Sequence, residues 1–103
     1  MIPNDFDEAV KYIKEYSFNG LSIPEHMAEG LAMYLLNGVP AGGFLTAVLE
    51  NDLIGAVVRA DYENIKRLDV YAAFLYSEAS INIYGSPKIV EVWIAKNRAG
   101  EVA

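Results

Sequence analysis

The chain contains no cysteine, and this absence excludes several kinds of chemistry. Without thiols there are no disulfide bonds, no thiolate metal sites and no cysteine nucleophile. A chain without disulfides is typical of a reducing compartment, and Met1–Asp5 leads directly into an amphipathic pattern rather than into a signal peptide. We therefore expect a cytoplasmic protein.

Histidine is scarce too, since His26 is the single imidazole. A serine nucleophile would need His26 as its base, and most serines occupy cap or turn positions. His26 and Glu29 share a helix face that Glu25 adjoins, a spacing used by metal sites in helical bundles, but a second set of ligands is missing. A solvated helix face explains this pattern better. The sequence therefore predicts a non-enzymatic protein with no catalytic residues, metal site or cofactor.

Basic residues are rare in the first half of the chain. Residues 1–52 contain eight acids against Lys11 and Lys14, whereas residues 53–103 contain six acids and six bases, for a net charge of −6. Nucleic-acid binding needs clustered Lys and Arg, so we expect no direct nucleic-acid ligand. A solvated face that serves solubility explains the acidic half better. The alternative is a protein partner with a basic surface that binds Glu25 and Glu29, and the functional prediction below rests on it.

Long uninterrupted hydrophobic runs are also lacking. Residues 30–49 carry no charge and are long enough on paper to cross a bilayer, yet Asn37-Gly38, Pro40 and Gly42-Gly43 would break a helix there. We therefore expect no contact with a membrane. Hydrophobic residues nevertheless make up 53% of the chain, which predicts apolar surface beyond the core and a homo-oligomer.

What the chain does contain is apolar spacing of the helical type, with no alternation long enough to indicate a sheet. Its 103 residues predict an all-α fold, a compact single-domain bundle of five or six short helices at residues 1–97 with a frayed polar tail at 98–103. Asp61 opens the longest predicted helix, whose inward stripe comprises Ile65, Leu68, Ala72, Leu75 and Ala79. Residues 81–85 form a loop or a single bridging strand. The other predicted helix starts are Asn4 or Asp5, Ser22 with Glu25, the Gly42-Gly43 pair, Asp52, and Ser86-Pro87.

Polar side chains are concentrated at the corners between the middle helices. The Gly42-Gly43 pair leaves the opening amides of a helix uncovered, which is the condition for accepting a carboxylate or phosphate. The Asn51-Asp52 and Arg59–Asp61 corners lie about two helical turns apart and could face one cavity. Helix capping and close helix packing explain these corners better, and ligand binding is the alternative. The predicted site for a small anionic ligand comprises Gly42, Gly43, Asn51, Asp52, Arg59, Asp61 and Asn64.

Five segments, in this order along the chain, resemble an uncharacterised family of small bacteriophage and prophage proteins. The resemblance covers roughly residues 23–95 and implies a phage or prophage setting, without implying a particular chemistry or catalytic residues. The segments are Ile23–Met27, Gly38–Leu53, Arg59–Asn64, Phe74–Ala79 and Gly85–Pro87.

These observations predict a non-enzymatic phage or prophage accessory protein in the cytoplasm of the host bacterial cell. It binds a host factor, for host takeover or to inhibit a host defence. The alternative is an oligomeric sponge that sequesters a small anionic metabolite or signalling nucleotide between subunits. A weak enzyme or metal-binding protein is the third hypothesis.

Overall fold

Helix α1 (Phe6–Glu15) is the first element of the fold. The computed structural model describes residues 2–102, with side chains described for residues 2–98. Asp5 caps α1 as predicted, because its carboxylate accepts a hydrogen bond from the Glu8 backbone N–H at 3.0 Å. Helix α1 packs along α2 (Glu25–Asn37) and buries Ala9 and Ile13 completely.

A small hairpin connects these two helices, although the sequence indicates no sheet. Strands β1 (Ser17–Phe18) and β2 (Leu21–Ser22) pair antiparallel, with Ser17 opposite Ser22 and Phe18 opposite Leu21. Asn19 and Gly20 both have positive φ, 54° and 77°, as a tight two-residue hairpin turn requires. The sequence does not predict this hairpin, because two-residue strands are too short to show the alternation of apolar and polar residues that indicates a strand.

The two ends of α2 differ in how well the sequence predicts them. The capping interaction expected between Ser22 and Glu25 does not form, because the N-cap is Pro24 and makes no side-chain hydrogen bond. Ser22 belongs to β2 instead, and its carbonyl accepts a hydrogen bond from Arg67 Nε at 2.8 Å. At the other end Gly38 adopts φ 63° and donates its N–H to the Tyr34 carbonyl at 2.9 Å, which confirms the predicted stop.

Helices α3 (Gly43–Leu49) and α4 (Leu53–Arg59) pack against each other, and Asn51 connects them at φ 63°. The single long helix predicted to begin at Asp61 is wrong, since the chain forms α5 (Tyr62–Ile65) and then α6 (Leu68–Glu78). Arg67 interrupts the helix with φ −120°, and its side chain bonds to the carbonyls of Ser22 and Glu63. This split is the reason that residues 2–102 form seven helices instead of five or six.

The longest helix of the structure is α7 (Pro87–Val102). Ser86 caps it as predicted, because its Oγ accepts a hydrogen bond from the Ile89 N–H at 3.1 Å. Trp93 ties α7 to α2 by donating its indole N–H to the Tyr34 carbonyl at 2.8 Å. Side chains after Arg98 lie outside the described residues, so the frayed tail at 98–103 stays a prediction.

The hydrophobic core lies between these helices and confirms the all-α fold class. Tyr71 and Phe74 of α6 occupy its centre, with edge-to-face contacts from Phe44 and Tyr16 at ring-centroid distances of 5.3 and 5.2 Å. The predicted stripe is confirmed in part: Leu75 is buried and Leu68 and Ala79 pack against the core, whereas Ile65 and Ala72 are exposed. Val70, Tyr71 and Phe74 complete the buried face of α6.

Candidate functional site

Asp52 and Asp61, two residues of the predicted ligand site, both act as helix caps. Asp52 Oδ1 accepts a hydrogen bond from the Gly55 N–H at 2.9 Å at the start of α4. Asp61 Oδ1 accepts one from the Asn64 N–H at 2.7 Å at the start of α5. Each carboxylate keeps a second oxygen for another contact, so a cap does not by itself exclude a ligand.

Asn64 belongs to the core rather than to a surface hollow. Its side chain is buried, with 2% of the residue exposed, and its Oδ1 accepts a hydrogen bond from the Tyr71 hydroxyl at 2.5 Å. Burial raises the pKa of Tyr71, because an ionised phenol would lose its hydration there. Asn64 is thus positioned to satisfy a buried tyrosine.

The Arg59 side chain lies beside two glycines, Gly43 and Gly55. Its Nη1 donates a hydrogen bond to the Gly55 carbonyl at 3.3 Å, and a Cβ atom built on Gly55 would lie 2.9 Å from that nitrogen and overlap Asp52 Oδ2. A Cβ on Gly43 would lie 3.3 Å from Arg59 Cδ, whereas one on Gly42 would meet nothing within 4 Å. The structure therefore brings Gly43, Asp52 and Arg59 together. Gly55 also belongs to this cluster, although it is not among the predicted ligand residues. It lies three residues after Asp52 and four before Arg59, a spacing that places the three residues on one side of a helix.

A cavity of about 100 Å³ opens between α3, α4 and α6. Of the predicted ligand residues it takes in Asn51 and Asp52, while Gly42, Gly43, Arg59, Asp61 and Asn64 do not line it. Its remaining walls are apolar, which suits an aliphatic group better than an anion. Six of the seven residues are thus divided among this cavity, the Arg59 cluster and the start of α5, and Gly42 belongs to none of these places. Their binding of a ligand stays a prediction. The lining residues are Val48, Asn51, Asp52, Leu53, Ala56, Leu68 and Ala72.

A second cavity, of about 370 Å³, lies between the beginning of the chain and the ends of α2 and α6. Leu35, Leu36 and Ile83 form apolar walls, and the Glu78 carboxylate is its charged group. That carboxylate accepts a hydrogen bond from the Tyr12 hydroxyl at 2.6 Å, and this bond raises the pKa of Tyr12.

Helix α4 presents its large aliphatic side chains to the outside. Its buried residues are Gly55 and Ala56, which allow α4 to lie close against α3. Sequence periodicity does not reveal this orientation, because apolar residues occupy both faces of the helix. The exposed fractions are 64% for Leu53, 74% for Ile54, 44% for Val57 and 76% for Val58.

An acidic surface lies where α2 and α5 begin, and we define it by Glu25, Glu29, Asp61 and Glu63. All four side chains are exposed. His26 Nε2 lies 3.5 Å from Asp61 Oδ2 and connects the two helix starts. The sequence predicts Glu25 and Glu29 as a protein-binding pair, and the structure adds Asp61 and Glu63 from a distant part of the chain.

Two basic side chains beside this surface, Arg67 and Lys14, are engaged in contacts within the chain, and Lys66 Nζ lies 3.9 Å from the centroid of the Tyr62 ring. Arg67, whose side chain is 17% exposed, donates to the Ser22 carbonyl, to the Glu63 carbonyl and to Glu63 Oε2 at 2.8, 2.8 and 3.2 Å. Lys14 reaches Glu25 Oε1 at 3.4 Å. The ion pairs with Lys14 and Arg67 offset the charges of Glu25 and Glu63, so the remaining negative charge of this surface comes from Glu29 and Asp61.

The described residues contain no group of three or more His, Asp or Glu side chains placed to hold a metal ion. Within the same part of the chain, no helix has the length and apolar character needed to cross a membrane. Comparisons of the chain with protein-family models, with curated proteins and with solved structures found no match.

Proposed function

We propose that this protein is a non-enzymatic accessory protein of a phage or prophage that binds a host protein with a basic surface. The acidic surface at the starts of α2 and α5 carries the proposal. Its carboxylates are exposed, whereas the neighbouring Arg67 side chain is only 17% exposed and is held by hydrogen bonds within the chain. The five segments that resemble phage and prophage proteins support the biological setting. Inhibition of a host defence or takeover of a host process would follow from occupation of the partner's basic surface.

Electrostatics makes the proposal quantitative. A surface of one sign raises the rate of encounter with a complementary partner by a factor of roughly 10 to 1,000 at low ionic strength. Exposed charges are screened over about 10 Å at 0.1 M salt, so association should slow as salt is added. A complex held mainly by apolar contacts would not have this dependence.

The test uses the doubly substituted variant Glu25→Lys/Glu29→Lys. Immobilised wild-type protein is expected to capture a specific basic protein from lysate of the bacterial host, identified by mass spectrometry, and the variant to lose it. The matched control, Asp7→Lys/Glu91→Lys, makes the same change in net charge at exposed positions on α1 and α7 and should retain the partner. Equal capture by both variants would mean that the surface is merely solvated.

The sponge hypothesis has one favourable observation, which is the position of Arg59 beside Gly43 at the start of α3. Asp52 opposes it, because its Oδ2 lies on the same side of Gly55 as the guanidinium and would repel an anion. Mass spectrometry of small molecules in the purified protein distinguishes the two functions. A ligand retained by the wild type and lost in Arg59→Ala would replace host-protein binding with sequestration as the proposed function.

A further inference from the structure

We propose that Asn19 is a site of spontaneous covalent modification, at which the side-chain amide is converted to aspartate and isoaspartate by ring closure on Gly20. The chain contains two Asn-Gly pairs, Asn19-Gly20 and Asn37-Gly38. Asparagine followed by glycine is prone to this reaction, because glycine has no side chain to block the attack of its backbone nitrogen on the asparagine Cγ. The fold leaves the first pair open to attack and protects the second.

The reaction needs no co-reactant other than water. The Gly20 backbone nitrogen gives up its proton to hydroxide and forms a bond to Asn19 Cγ, while the bond between Cγ and Nδ2 breaks and the nitrogen leaves as ammonia with a proton from water. The product is a succinimide ring. Water opens this ring at one carbonyl to give aspartate, or at the other to give isoaspartate, in which the main chain passes through Cβ and Cγ. Either product adds a negative charge.

The Asn19-Gly20 pair forms the exposed tip of the hairpin between β1 and β2. Gly20 has φ 77°, and a Cβ atom built on it would meet nothing within 4 Å, so the space around it is open. Among the hydrogen bonds of residues 2–102, none engages the Gly20 N–H, which can therefore lose its proton. Ring closure requires the turn to open. Because each strand pairs through two residues only, this local opening has a low free energy.

The Asn37-Gly38 pair has the same two residues in a protected position. Gly38 is buried, and its N–H donates a hydrogen bond to the Tyr34 carbonyl at 2.9 Å. The Asn97 side chain covers this glycine, with Cγ 2.7 Å from the position of an added Cβ. Ring closure at Asn37 therefore requires the end of α2 to unwind. Each hydrogen bond that has to open lowers the rate by a factor of up to roughly ten, so we expect Asn19 to react roughly tenfold faster than Asn37.

Modification changes the contact between the hairpin tip and α6. In the unmodified chain Asn19 Nδ2 donates a hydrogen bond to Asp69 Oδ2 at 3.3 Å, and β1 packs against α6. Aspartate or isoaspartate at this position replaces the donor by a carboxylate that faces the Asp69 carboxylate, and like charges repel. The reaction thus loosens the hairpin tip from α6 as the protein ages.

Mass spectrometry after incubation of the full chain at mildly alkaline pH tests the proposal. Digestion after glutamate separates the two sites, because Asn19 lies in the peptide 16–25 and Asn37 in the peptide 30–50. We expect peptide 16–25 to be converted to the aspartate and isoaspartate forms roughly tenfold faster than peptide 30–50. Both rates should rise with pH, because hydroxide removes the proton from the attacking nitrogen.

Two controls separate the effect of the fold from that of the sequence. In urea both sites should react at similar rates, since the protection of Asn37 depends on the folded chain. Asn19→Gln keeps the amide on a longer side chain whose ring closes far more slowly, and it should leave peptide 16–25 unmodified.

Two further variants test the contact with α6. Asn19→Asp reproduces one product and should lower the melting temperature by roughly 1–5 °C, as the loss of an exposed polar contact would. Asn19→Asp/Asp69→Asn exchanges donor and acceptor, so that the amide donates from α6 instead, and it should recover the loss. The amide oxygen at position 69 can still accept the hydrogen bond from the Val70 N–H.

Equal rates at the two sites in the folded chain would overturn the proposal, as would an Asn19 that stays unmodified while the chain in urea reacts. A rate difference that persists unchanged in urea would also overturn it, because the fold would then not be the cause. If the exchange variant is no more stable than Asn19→Asp, the role assigned to Asp69 is wrong. None of these variants changes the acidic surface, so the proposed function stands or fails independently.

Discussion

Replacing Tyr71 by Phe removes one oxygen atom from the centre of the core, and its effect can be estimated from the surroundings. The Tyr71 hydroxyl donates to Asn64 Oδ1, and both residues are buried. Phe leaves that amide oxygen without its donor, and an unsatisfied buried polar group lowers the free energy of unfolding by about 1–3 kcal/mol. For a domain of this size each kcal/mol shifts the melting temperature by roughly 4–8 °C, so Tyr71→Phe should lower it by roughly 5–20 °C.

Urea denaturation followed by circular dichroism measures this loss directly. Tyr76→Phe is the matched control, because Tyr76 lies on the same helix with its side chain exposed, and its stability should change by less than about 0.5 kcal/mol. The double variant Asn64→Leu/Tyr71→Phe removes both partners and should lose less than the sum of the two single variants, by about 1 kcal/mol. If Tyr71→Phe is as stable as the wild type, or if the two losses simply add, the structural role assigned to Asn64 is wrong.

Two further predictions concern α2. Burial raises the pKa of Tyr34 from its ordinary value of 10.0 to about 12. The stability that the protein gains from keeping this phenol neutral is therefore complete below pH 10 and is lost as the pH rises through 12. Over that interval the free energy of unfolding should fall by up to about 3 kcal/mol, and Tyr34→Phe should remove this part of the pH dependence in urea titrations. Gly38→Ala places a side chain at a residue with positive φ, and the new Cβ would lie 2.7 Å from Asn97 Cγ. Gly20→Ala is the control, because Gly20 also has positive φ but its Cβ would meet no atom within 4 Å. We therefore expect Gly38→Ala to lower the melting temperature more than Gly20→Ala. Equal thermal shifts for the two glycine variants would contradict the close contact between α2 and α7.

Helix starts are the features that local sequence predicts best here. Asp5, Asp52, Asp61 and Ser86 each accept a hydrogen bond from a backbone N–H three residues later, and each is recognisable from its residue type and position. The Ser22 start fails for a physical reason, since a short hairpin and a hydrogen bond from Arg67 engage that residue. Tertiary contacts of this kind leave no trace in the local pattern.

The orientation of a helix was harder to predict than its existence. Helix α4 was expected from Asp52 onward, yet its largest apolar side chains face outward because Gly55 and Ala56 allow the closest approach to α3. The orientation of side chains in the candidate ligand site is equally hard to predict from the sequence. Proximity in sequence placed Asn64 beside Asp61, but only the packing of α5 on α6 shows that its amide faces Tyr71.

The bond between Trp93 and the Tyr34 carbonyl gives the protein an intrinsic optical probe. Trp93 is the single tryptophan in the chain, and its half-buried indole is attached to the last turns of α2. Its fluorescence emission therefore reports the docking of α7 without any label and without interference from a second indole. Time-resolved quenching could separate local detachment of α7 from unfolding of the whole chain, and so measure how firmly the longest helix is held in the native state.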